Sequence, residues 1–199
     1  DSERDVRHIE LSLEGSGLRY EPGDALGVWP RNPPALVEQW LDALRLDGAL
    51  EVKHQDRTLA LRQWLGQERE ITRLNRPFIA ALAAASGDGG LTRVLQPEHA
   101  AEFAALLAVD QPIDLLHRHP ATWQPEMLVA AWRPLAPRLY SIASSPKAVG
   151  EEVHLTVAVV DYDAHGSAHW GAASGLLAST GEDGKLPIFI EANERFRLP

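Results

Sequence analysis

The stretch "RLYSIASS" (138–145) decides how the chain reads, because strand-like sequence resumes there after a long helical pattern. Prolines 137 and 146 bound it, and it carries an arginine, a tyrosine and three serines. In an extended strand Arg138 and Tyr140 project to one face and Ser141 to the other. A guanidinium binds phosphate with two parallel hydrogen bonds, and a tyrosine ring can stack on a flat heterocycle. The plainer reading of these eight residues is an edge strand with an exposed arginine and a core tyrosine.

Downstream, "EVHLTVAVV" (152–160) puts Val153, Leu155, Val157 and Val159 on one face and His154, Thr156 and Ala158 on the other. That alternation is the signature of a half-buried strand. "KLPIFIE" (185–191) reads as another strand, at a sheet edge because of Pro187. Between them "GAASGLLAS" (171–179) is a small-residue turn leading into a short helix. Upstream, "HIELSL" (8–13) alternates in the same way, with Ile9, Leu11 and Leu13 opposite Glu10 and Ser12. "LRYEPGDALGVW" (18–29) reads as strand, Pro-Gly-Asp turn and strand.

The middle of the chain has a different texture. Asn32 is placed to cap a helix whose first turn holds Pro33 and Pro34, with Leu36, Val37, Trp40, Leu41 and Leu44 as its apolar stripe and Gly48 beyond its end. Thr58 is a candidate start for a short helix through Trp64 and Leu65 to Gly66. Further helices are expected at 77–85, 97–107, 112–118 and 125–132, with a loop at the end of "AALAAASGDGG" (80–90). "EREIT" (68–72) reads as a strand. Strands, then mostly helices, then strands argue against a doubly wound parallel sheet. The expectation is a mainly β plus α fold: an antiparallel β-barrel from residues 1–30 and 134–199, interrupted by a mainly helical domain over 31–133. A strand near 68–75 is a candidate to rejoin the barrel.

Composition narrows the chemistry. With no cysteine among 199 residues, disulfides, thiolate nucleophiles, zinc–thiolate sites and cysteine-ligated clusters are excluded within the chain. Redox work would need a bound organic cofactor. A net charge of −9 argues against a general nucleic-acid binder. No apolar run approaches the ~20 residues of a membrane helix, and the opening "DSERDVRH" is charged rather than signal-like. A cytoplasmic protein is expected.

Residues 171–175 let backbone N–H groups approach an anion at a helix start. Paired with Arg138 they form a candidate diphosphate cradle. Neither G-x-G-x-x-G after a strand nor G-x-x-x-x-G-K-[ST] occurs, and no G-x-S-x-G elbow supports a serine hydrolase. The histidines of "HRH" (117–119) fall in a loop before Pro120, those of "HGSAH" (165–169) lack a helix pattern or nearby carboxylate cluster suited to a metal, and both pairs read as solvated. Trp40, Trp64 and Trp132 are assigned to packing. Trp170 alone lies near the candidate cradle in sequence.

These residues resemble a known family. "RLYSIASS" is similar to the R-x-Y-S motif of the ferredoxin–NADP reductase superfamily. "YEPGDALGVWPRN", "EVHLTVAVVDYD", "GAASGLLAS" and "NERFRLP" follow, in order, the FAD region of the diflavin reductase family, and most nearly its sulfite reductase branch. The resemblance covers essentially the whole chain. It implies an antiparallel flavin-binding β-barrel interrupted by a helical connecting domain. It implies FAD here, with FMN and NADPH held by neighbouring domains of the same polypeptide: a flavodoxin-like one before residue 1 and a nucleotide-binding one after Pro199. The partner implied is a sulfite reductase haemoprotein subunit, with neither nucleic acid nor membrane.

By resemblance Arg138 binds the FAD diphosphate, Leu139 lies in the same motif, and Tyr140 packs on the isoalloxazine. Ser141, the candidate catalytic residue, has its hydroxyl near flavin N5. Thr156, Val157 and Ala158 meet the flavin edge, Gly171, Ala172, Ala173 and Ser174 form the diphosphate loop, and Tyr162 and Thr72 are further FAD contacts. The family often has glycine where Ala158 and Ala172 stand. Two other readings remain: a cytochrome P450 reductase-like enzyme, and a non-catalytic docking module favoured by exposed tryptophans on the helical insertion.

Overall fold

The structure, a computed structural model, describes residues 5–196. The last three residues of "NERFRLP" and the first four of "DSERDVRH" lie outside the described residues. In chain order the elements begin with β1 (Val6–Ser12), β2 (Ala25–Val28), α1 (Pro34–Leu44), β3 (Glu51–His54), β4 (Arg57–Ala60) and α2 (Leu61–Gln63). After α2 a π-helical turn follows at Trp64–Glu68. Next come α3 (Arg76–Ser86), α4 (Gly89–Val94), α5 (Ala100–Val109), α6 (Pro112–Arg118) and α7 (Pro125–Ala131). The chain closes with β5 (Arg138–Ser141), α8 (Pro146–Val149), β6 (Glu152–Ala158), β7 (Asp161–Ala164), β8 (Ser167–Trp170), α9 (Ala172–Ser179) and β9 (Ile188–Glu191).

The chain divides into two compact units. One comprises residues up to Arg31, Ala136–Asp161 and from Gly171 onward; the other comprises Asn32–Leu135 and Tyr162–Trp170.

In the first unit all strand pairs are antiparallel. β2 lies between β5 and β9, β1 pairs with β6, and an Ile142–Leu155 bridge joins the end of β5 to β6. The result is a mixed α/β unit with antiparallel sheets, and the pairings among the described residues form no closed barrel. The alternation read from the sequence holds: Val153, Leu155 and Val157 are buried with Leu13, Leu26, Val28 and Leu177. β9 is an edge strand, as Pro187 suggested. "LRY" (18–20) is not a strand; Tyr20 is instead pinned by its hydroxyl, which donates to the Glu152 carbonyl at 2.9 Å and meets Ser144 Oγ at 2.6 Å.

The second unit is mainly helical around Trp40, Phe78, Trp123 and Trp132. Phe78 stacks on Trp132 at 4.0 Å, while Trp40 meets both edge-on. Asn32 is not the cap of α1. It is buried, its side-chain amide donates to the carbonyls of Leu65 and Arg69 at 2.6 Å each, and Pro33 occupies the cap position. The helix ends at Arg45, which adopts the left-handed conformation (φ 55°), so Gly48 does not terminate it. Thr58 belongs to β4 rather than opening a helix, because residues 51–60 form a hairpin. "EREIT" contributes only an Arg69–Pro134 bridge, flanked by Glu70 N–H to Arg133 O and Leu135 N–H to Glu68 O. Gly89 and Gly90, read as loop, instead open α4, because Asp88 caps the Leu91 N–H. Trp40, Trp64, Trp123 and Trp132 are all buried, so the exposed tryptophans that favoured a docking module are absent from these helices.

Candidate functional site

β5 presents its motif in strict alternation. Arg138 and Tyr140 are half-buried, Leu139 and Ser141 exposed. The register explains the pattern. Arg138 stands opposite Val28 and Tyr140 opposite Leu26, both fully buried, so these two share the core side of the sheet. Tyr140 packs against that core through its ring. The Arg138 guanidinium donates to the Ala136 carbonyl at 2.7 Å, which holds its stem along the strand. Ser141, opposite Ala25, lies with Leu139 on the outer side. The expectation that Ser141 faces away from Arg138 and Tyr140 is met, with no bend within the four-residue strand re-aiming it.

Thr156, Val157 and Ala158 end β6. One edge of this segment pairs with His8, Arg7 and Val6 of β1. On the opposite edge, strand contact stops at the Leu155–Ile142 bridge, so among the described residues no strand covers 156–158 there. Val157 points into the core, and only its backbone is available to a ligand.

The stretch 171–174 starts α9. Gly171 is the cap residue and provides no side-chain bond to the first turn, so the opening N–H groups of Ala172, Ala173 and Ser174 have no side-chain cap. Leu177, one turn on, anchors the helix in the unit's core. The Ser174 hydroxyl is already engaged: it accepts from the Val160 N–H at 3.1 Å. A Cβ at position 171 would lie 2.5 Å from that hydroxyl and 2.9 Å from Val160 Cβ, which explains glycine there. Ala158 and Ala172 are not among the described residues with positive φ, so alanine is accommodated where the family often has glycine.

Thr72 and Tyr162 belong to the second unit. The buried Thr72 hydroxyl donates to Glu70 Oε1 at 2.6 Å, and its N–H donates to the same oxygen at 3.0 Å. Tyr162 is about half exposed. Burial, followed by the charges of Asp114 and Asp110, pushes its phenol above the usual range. Trp170, read near the cradle from sequence, packs against the helical core of the second unit.

His169 is not solvated as its local sequence suggests. It is fully buried, and its Nε2 contacts Asp114 at 2.8 Å. Asp114 also accepts the Gln111 N–H at 2.7 Å, and the Gln111 side chain donates to the Trp170 carbonyl at 3.0 Å. Gln111 and Asp114 stand at capping-box spacing around Pro112, which marks the start of α6, but no local signal ties that aspartate to His169.

The first unit thus carries a strand-borne guanidinium, a helix start with no side-chain cap and an open strand edge. These donors fit an elongated ligand with a diphosphate and a flat ring bearing amide groups. Residues 1–176 match the family described as FAD binding domain. The chain is 46% identical, over 202 residues and its full length, to the sulfite reductase [NADPH] flavoprotein alpha-component of Neisseria meningitidis serogroup C / serotype 2a. It is also 46% identical over its full length to the proteins so named from Serratia proteamaculans and Yersinia enterocolitica serotype O:8. It spans 33% of the length of each of these relatives.

Proposed function

We propose a function from one premise: this chain belongs to the FAD binding domain family. FAD is accordingly its cofactor, and we read the chain as the FAD module of a diflavin reductase of the sulfite reductase type. In the longer protein, electrons would pass from NADPH through FAD and FMN, held by neighbouring domains, to a haemoprotein that reduces sulfite. When bound, FAD supplies a two-electron acceptor able to release electrons singly. The chain's own residues bind and orient it. Arg138 and the first-turn amides of 172–174 hold the diphosphate; the Tyr140 ring and the exposed edge of 156–158 flank the ring system. Ser141 presents a hydroxyl to the reacting nitrogen, with Leu139 of the same strand as a further contact.

In this reading the first unit, with its antiparallel sheets, is the flavin-binding domain and the helical unit is the connecting domain. Beside that premise, the observation that supports the reading is that the Arg138 strand and the small-residue helix start at Gly171 belong to the same compact unit. No helix among the described residues is long and apolar enough to cross a membrane.

The test is an absorbance spectrum of the purified protein after FAD loading and removal of excess. Flavin near unit stoichiometry is expected. Arg138→Ala should weaken retention by roughly ten- to a hundredfold, the equivalent of about 1.5–3 kcal/mol for a charged hydrogen bond. Ser141→Ala should retain FAD. Equal loss in both variants would remove the separate roles, and a protein that cannot be loaded would overturn the reading.

A further inference from the structure

The outer face of the β1–β6 ladder carries a set of side chains that the flavin reading does not use. Alternation buries Leu155 and Val153 and sends the even-numbered residues outward: His8 and Glu10 on β1, Glu152 and His154 on β6. The register sets Glu10 directly opposite His154 and His8 opposite Thr156, so His8 and His154 are diagonal neighbours. Their rings meet edge-on at 5.1 Å. The ligand atoms of His8, Glu10 and His154 all lie within 4.8 Å of one another. Glu10 sits 3.2 Å from His8 Nε2, and the Glu152 carboxylate 3.1 Å from His154 Nε2.

We propose that His8, Glu10 and His154 form a surface site for a divalent transition cation of the zinc type. Two imidazoles and a carboxylate are the donor set such ions prefer, while magnesium and calcium favour oxygen ligands alone. Bond lengths of about 2.0–2.2 Å require the three ligand atoms to draw together. The side chains of His8 and Glu10 are 56% and 60% exposed, so they rotate inward without disturbing the core. His154, at 17%, is the more fixed ligand, and the Glu152 carboxylate beside its ring can orient it. Water completes the coordination. The two strands supply the ligands jointly, so the ion links β1 to β6. The site does not rest on the flavin reading.

The test is zinc titrated into the purified protein against a chromophoric chelator, with and without FAD. One ion per chain is expected in either case. His8→Ala and His154→Ala should each weaken binding by roughly tenfold or more, whereas His117→Ala, elsewhere on the chain, should not. Glu10→Gln preserves size and serves as the variant least disturbing to folding; it too should bind zinc more weakly with an unchanged circular dichroism spectrum. Zinc should raise the melting temperature of the wild type more than that of His154→Ala, and magnesium should raise neither. No uptake, or equal affinity in wild type and the His8→Ala/His154→Ala double variant, would overturn the site.

Discussion

A methyl group added at Gly27 would lie 2.2 Å from the Phe189 ring, which covers β2 from the neighbouring edge strand. Gly27→Ala should therefore overpack the sheet and cost about 1–3 kcal/mol, read as a lower urea midpoint. Phe189→Leu in the same chain should recover part of the loss, and a neutral Gly27→Ala would mean that the ring yields freely. His169 makes the opposite case, a polar side chain that cannot be spared. Its removal leaves the buried Asp114 with one partner fewer, and His169→Ala should cost roughly 1–3 kcal/mol; an unchanged midpoint would count against a structural role. Such residues also mark what local sequence hides. "HGSAH" has no periodicity, and the carboxylate that buries its last histidine lies 55 residues away. Arg138 and Tyr140 were legible because strand alternation is local and fixes which side chains share a face.

Among elements, α4 depends on one cap. Asp88 is held below the usual carboxylate range by the Leu91 N–H it accepts and then by its bond to the His119 ring. Because the folded value is depressed, the cap stabilises above the unfolded value of about 3.9 and its contribution is lost as pH falls through the folded value. Acidification well below the unfolded value of about 3.9 should release the Leu91 amide to hydrogen exchange. Asp88→Asn, which caps without titrating, should lose that part of the dependence; identical acid profiles would reject the assignment. α1 ends on the left-handed Arg45, a conformation that costs a non-glycine residue roughly 1–2 kcal/mol. Arg45→Gly should raise the melting temperature despite glycine's greater freedom when unfolded. The sequence located α6 well, since proline at its first turn and the run to Arg118 are local signals. It missed α4, where two glycines outweighed the aspartate before them, and misjudged Thr58, whose hairpin pairing depends on residues 51–54.

At the scale of the whole molecule, the order of strands, helices and strands was readable because each half keeps its own period. The assignment of Tyr162–Trp170 to the helical unit was not, since it depends on His169 and Gln111 reaching their partners. If FAD is held by the first unit alone, saturation at a hundred times the dissociation constant adds about 2.7 kcal/mol there. Hydrogen exchange should then slow in β2, β5, β6 and α9 but not in α3 or α7; uniform slowing would mean the two units respond together. The segment around the π-helical turn has a kinetic consequence as well. Asn32 bonds to Leu65, Gly66 and Arg69, and Leu135 to Glu68, so both ends of the helical insertion are tied to one short stretch. Once that insertion has folded, β2 and β5 leave from fixed neighbouring points, and their meeting no longer carries the loop-closure entropy of the intervening chain. During synthesis β1 and β2 emerge first yet must wait for partners that follow the insertion. A folded insertion therefore acts as an internal template, converting a slow, long-range strand encounter into a nearly local one.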